Sequence, residues 1–212
     1  MTEAAQRSIW PGATILAILA AVCSALVALT HAVTAPRIAA NEQAWLERSL
    51  EPVLQGVAYD GALSESTIVL EPPHGLPGPD PVTIYRVYAG GEPVAALFVV
   101  APRDGYAGTI RLLIGVAKTG KLTGVRVLSH RETPGLGDQI EVSKSDWILD
   151  FTGRSLGDPP GPAWTIRGDG GAFDQMTGAS ITSRSVVKAV RDTLLYFDEN
   201  REHVFAGEDD SE

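Results

Sequence analysis

Between Asp174 and Ser183 the chain reads Asp-Gln-Met-Thr-Gly-Ala-Ser-Ile-Thr-Ser, with four hydroxyl side chains (Thr177, Ser180, Thr182, Ser183) gathered around Gly178 and Ala179. Gly168, Gly170 and Gly171 precede this stretch, so its first half reads as a turn. Val186, Val187, Val190, Leu194 and Leu195 then recur at three and four residues, the apolar stripe of a helix. A hydroxyl-rich turn thus meets a helix N-terminus, where the first backbone N–H groups lack partners and the dipole favours an anion. Two chemistries fit. Thr182 or Ser183 caps the helix and nothing more happens, or a phosphate rests on the turn.

A second chemical stretch is His130-Arg131-Glu132-Thr133-Pro134-Gly135-Leu136-Gly137. By residue type alone it is a tight Pro-Gly turn leaving a strand. Equally, Gly135 and Gly137 would let the backbone approach a flat ring closely. The other histidines, His31, His74 and His203, are scattered, and none forms a ligand pair at helical spacing, so a metal site is not expected. Tyr106 and Trp147 suit either an ordinary core or stacking on a ring.

The segment Asp174-x-x-Thr177-Gly178-Ala179-Ser180 resembles the flavinylation motif of the FMN-binding subunits of Rnf-type and sodium-pumping quinone reductase complexes. Glu132–Gly137 is similar to the segment that lies against the flavin ring in that family. Asp104-Gly105-Tyr106-Ala107-Gly108 and Ser145-Asp146-Trp147-Ile148 resemble further family blocks, in the same order. The likeness runs from about residue 8 to 200 and is greatest to the G subunits of Rnf electron-transport complexes. It implies FMN joined through its phosphate to Ser180 as a phosphoester, with Asp174 read by a flavin transferase. Thr177, Gly178, Ala179, Thr182 and Arg184 would surround the phosphate, Arg184 offsetting its charge. Glu132, Thr133, Gly135, Leu136 and Gly137 would face the ring, and Tyr106 and Trp147 would stack on it or shield it. One departure matters, because the family's acceptor is usually threonine. Ser180 keeps the nucleophilic oxygen and lacks the methyl that stiffens threonine at χ1; Thr177 and Thr182 are the next hydroxyls.

The elements that must position these residues are legible as well. Val82–Ala89, Pro93–Ala101, Thr109–Ala117 and Leu122–Ser129 are rich in β-formers, with turn residues at Gly90-Gly91, Asp104-Gly105 and Thr119-Gly120 between them. Short connections predict a four-stranded antiparallel meander, with a Ser183–Asp198 helix covering one face. The loop 71–81 holds five prolines and two glycines in eleven residues. Pro36–Leu54 reads as a connecting helix with Ile38, Trp45, Leu46, Leu50, Val53 and Leu54 on one side. Gly12–Val33 carries no Asp, Glu, Lys or Arg, and about 1.5 Å per residue gives it the length to cross a bilayer. It exceeds the roughly 7–15-residue apolar core of a signal peptide, and Pro36 spoils a cleavage site after Ala35, so an uncleaved anchor is expected.

The fold class is therefore α+β: one N-terminal transmembrane helix (1–35), a connecting helix (36–56), an FMN-binding domain with an antiparallel sheet packed by helices (57–205), and an acidic solvated tail (206–212). Basic residues flank the span on both sides (Arg7 before it, Arg37 and Arg48 after it) and do not set its orientation. The resemblance implies a bacterial inner-membrane protein with its N-terminus in the cytoplasm and its domain in the periplasm. Cys23 is the only cysteine and lies within the span, so no disulfide or Cys-x-x-Cys site exists. Glu3 and Arg7 cancel, so the chain beyond residue 36 carries the whole formal charge of −9. Nucleic acid and anionic lipid surfaces are poor partners for it. The resemblance implies an electron carrier in a complex coupling ferredoxin and NAD to H⁺ or Na⁺ movement. The chain has no Gly-x-Gly-x-x-Gly segment and no iron–sulfur cysteines, so donor and acceptor belong to membrane and iron–sulfur partner subunits, and the isolated subunit should turn over nothing. A flavin-free structural subunit and a stand-alone FMN reductase are the alternatives.

Overall fold

The computed structural model describes residues 10–54, 56–60, 63 and 66–206. The chain divides between Trp45 and Leu46 into two compact units. Helix α1 spans Trp10–Leu50, its residues falling on both sides of that boundary. Its 20-residue stretch Gly12–His31 has a mean hydropathy of 2.4 and is unburied among the described residues; it is long and apolar enough to cross a membrane. The side chains of Ile38, Trp45 and Leu46 and the tail 207–212 lie outside the described residues.

In the second unit five strands form one antiparallel meander in chain order: β1 (Thr67–Leu70), β2 (Val82–Ala89), β3 (Glu92–Val100), β4 (Arg111–Ala117) and β5 (Leu122–Ser129). This corrects the expectation of four strands. β1 is only four residues long and pairs with β2 at the sheet edge, Ile68 opposite Ile84. β2 and β3 join through Gly90 and Gly91, whose φ values of 59° and 80° give the two-residue hairpin its left-handed backbone.

Register explains the core. Ile84, Phe98, Ile114 and Val125 oppose one another across β2 to β5 and point to one face. That face is covered by helix α2 (Ser180–Phe205) through Val186, Val187, Val190, Leu194 and Phe197. Leu195, expected in the stripe, is exposed instead, because the continuing period brings Phe197 inward to meet Phe98 edge-on at 6.2 Å. The sheet's other face is closed as well, by Leu50, Val53 and Leu54 against Tyr85, Val87, Leu97 and Leu113. Val53, in a 3-10 turn Glu51–Val53, presses onto the backbone at Gly115 and Gly124, and a Cβ at Gly115 would lie 2.6 Å from its Cγ1. The central strands are thus buried on both sides, which is why they read as near-continuous apolar runs rather than strict alternation.

Candidate functional site

The hydroxyl-rich turn and the Glu132–Gly137 loop meet. Helix α2 begins at Ser180, three residues before the start expected from the sequence, after Ala179. No side chain caps this end, and the first backbone bond of the helix is Ser183 N–H to Ala179 O. The expected cap by Thr182 or Ser183 is therefore not what forms. Thr182 Oγ is turned away to donate to Glu132 Oε2 at 2.5 Å, and Ser183 Oγ donates to Ala179 O while accepting from Met176 N–H. The amides of the first turn keep the free donor capacity of an uncapped helix start. Among the described residues Ser180, half-buried, has a hydroxyl committed to no hydrogen bond.

A cleft of about 430 Å³ opens over this turn, within the roughly 300–1,000 Å³ usual for small-molecule sites. Tyr106, Glu132, Thr133, Leu136 and Gly137 form one wall, and Gly178, Ala179, Ser180, Ile181 and Thr182 the other. Its mouth is apolar: Tyr106, Ile181 and Leu136 are 67%, 48% and 43% exposed. Gly178 has φ +77°, and a Cβ there would meet Leu136 Cδ2 at 3.1 Å, so glycine both turns the chain and keeps the cleft open. Ile181 was not expected from the sequence. Its signal was an apolar side chain in the helix's first turn that falls off the buried stripe.

Several expected site residues lie elsewhere. Thr177 and Gly135 are exposed near the cleft without lining it. Arg184 is engaged by Asp169, its Nε at 2.6 Å and Nη2 at 3.0 Å from the two carboxylate oxygens. That guanidinium holds the Asp169 carboxyl below its ordinary range. Its charge is therefore already answered within the chain. Trp147 braces the turn from behind: its Nε1–H donates to Asp174 O at 2.7 Å and its ring meets Phe151 edge-on at 5.4 Å. The Asp174 carboxylate pairs with Arg167 at 2.9 Å on the surface. His130 supports the opposite wall, its Nδ1 accepting from Glu132 N–H at 3.0 Å and its Nε2 lying 2.8 Å from Glu141 Oε1. Hydrogen bonds from His130 and then Ser143 hold the Glu141 carboxyl below its usual value.

An apolar-mouthed cleft ending on free helix amides suits a ligand with a flat ring at one end and a phosphate at the other, which is the shape of FMN. Residues 105–195 match the family model described as an FMN-binding domain, and residues 1–53 match that of the RnfG N-terminal region. The chain is thus an FMN-binding domain carried behind a helix long and apolar enough to span a membrane. It is 42% identical over 211 residues to the G subunit of the ion-translocating oxidoreductase complex of Pseudomonas aeruginosa (strain UCBPP-PA14), covering 99% of this chain and 98% of that one. The subunits of the same name from Shewanella loihica, at 42% identity, and Vibrio parahaemolyticus, at 43%, each span at least 90% of both chains. The chain belongs to this family, the G subunits of ion-translocating oxidoreductase complexes.

Proposed function

We propose that this chain is the covalent-FMN electron carrier of a membrane-bound, ion-translocating oxidoreductase complex of the Rnf type, linking ferredoxin and NAD. FMN would be joined to Ser180 Oγ: the bond from the serine oxygen to phosphorus forms, a P–O bond of the flavin nucleotide donor breaks, and the departing oxygen takes up the hydroxyl proton, so that the product is the chain plus FMN less one water. The observation that carries this reading is the disposal of the hydroxyls around the turn. Thr182 and Ser183 are committed to internal bonds and Thr177 lies outside the cleft, whereas Ser180 stands in it with its oxygen free.

The bound flavin supplies reversible electron uptake; the chain supplies position and electrostatics. The first-turn amides of α2 would hold the phosphate, Gly178 and Gly137 would leave room for the ring, and Tyr106, Leu136 and Ile181 would shield it from water. Arg167 and Asp174 present the motif to a flavin transferase on the surface. The remaining subunits bring donor and acceptor, and α1 ties the carrier to the bacterial inner membrane with the domain in the periplasm. Covalent attachment prevents loss of the flavin by dilution there. The test is reduction of the complex in membranes, followed by flavin absorbance. Ser180→Ala should remove this subunit's share of the bleaching and stop ion-coupled electron flow while the complex still assembles. Undiminished electron flow in that variant would refute the carrier role.

A further inference from the structure

Glu132 is 4% exposed, and among the described residues no cationic side chain pairs with its carboxylate. Instead Oε2 accepts from the Thr182 hydroxyl at 2.5 Å and Oε1 from Ala107 N–H at 3.1 Å. Its backbone N–H is held in turn by His130 Nδ1. The surroundings are shaped to admit it. A Cβ at Gly105 would come within 2.7 Å of Oε1, and one at Gly137 within 2.8 Å of the Glu132 Cβ and 3.0 Å of Oε2. Two glycines from different loops thus make room for one carboxylate. It ties the Tyr106 loop to the first turn of α2 and stands in the cleft wall. A neutral side chain could have made the same two bonds. Burying a carboxylate without a counter-ion opposes stability.

The geometry points to Glu132 as the residue that sets the reduction potential of a flavin held in this cleft, through a fixed negative charge clamped between Thr182 and the Ala107 amide. This rests on the FMN reading above. Reducing the ring adds negative charge, and a nearby carboxylate in a poorly solvated wall opposes that addition, so the potential is drawn down. Glu132 acts as a positioning and electrostatic residue, and no transfer step passes through it.

The experiment compares full-length wild type, Glu132→Gln and Glu132→Asp, each produced with the flavin transferase and purified in detergent. Intact mass, melting temperature and a potentiometric titration of the flavin absorbance are read for each. Gln can reproduce both bonds, its carbonyl accepting from Ala107 and its amide donating to Thr182, so the fold should hold. The charge account requires Gln to shift the potential positive and Asp, shorter but charged, to stay near wild type. Equal potentials for wild type and Gln, or a larger shift for Asp than for Gln, would make Glu132 a purely structural tie and overturn the proposal. A folded Gln variant lacking the adduct while wild type carries it would overturn it too, in favour of a role in attachment. Wild type without flavin would bring down the FMN reading itself, a result that the mass separates from the other outcomes.

Discussion

At the residue scale the site is a division of labour among similar groups. Of the hydroxyls near the start of α2, Thr182 and Ser183 are held in internal hydrogen bonds, whereas among the described residues Ser180 makes none. The sequence shows the hydroxyls but not this division, because the partner that claims Thr182 lies 50 residues away in Glu132. N-cap preference pointed to Thr182 or Ser183 for the same reason: it weighs local bonds and is blind to a buried carboxylate arriving from another loop. The pairing of Arg184 with Asp169 is hidden from the sequence in the same way. If Ser180 carries the flavin as proposed, Ser180→Thr should raise the flavinylated fraction, read as the ratio of loaded to unloaded mass, because the β-branched rotamer is better fixed. A second residue-scale prediction concerns Glu141. Its carboxyl titrates below the ordinary 4.5, so the stability it confers is complete above that value and is lost as pH falls through the lower, folded one. Glu141→Gln should therefore lower the melting temperature modestly at neutral pH and flatten its fall on the acid side of 4.5, so that variant and wild type converge as pH drops. An unaltered acid limb would remove the His130–Glu141 contact from the account.

Elements were legible where their signals were local. β2 and β5 have the bounds read from composition, and the Gly-Gly hairpin forms as its residues require. β1 escaped because its apolar run, Ile68–Leu70, is only three residues long and its partner β2 lies beyond the proline-rich loop. The second covering layer escaped as well, since Val53 reaches the sheet only by long-range contact with Gly115 and Gly124. α2 does two jobs, closing the core with one face and opening the cleft with its first turn. Cutting back a side chain on which it packs should thus loosen both: Phe98→Ala, in edge-on contact with Tyr196 and Phe197, should cost about 3–5 kcal/mol in urea unfolding. Gly137→Ala places a methyl against Glu132 and Thr182 and should cost about 1–3 kcal/mol by overpacking. A neutral result at Gly137 would mean that the wall yields and that Glu132 is not clamped.

For the whole molecule, two units with separate contacts imply separable roles. A chain beginning at Leu46 retains the residues that close both faces of the sheet. It should stay folded and leave the membrane fraction, whereas the full chain should require detergent; aggregation of the shortened chain would show that the domain depends on α1. Its formal charge of −9 should keep that domain soluble and off anionic surfaces. The central claim remains chemical, namely that one serine carries the flavin. The most direct measurement is the intact mass of the full chain made with its flavin transferase, beside Ser180→Ala. Wild type should be heavier than its sequence by one FMN less one water, and the variant should show its sequence mass. The same added mass in both would move the bond to another hydroxyl, and its absence from both would contradict covalent attachment altogether.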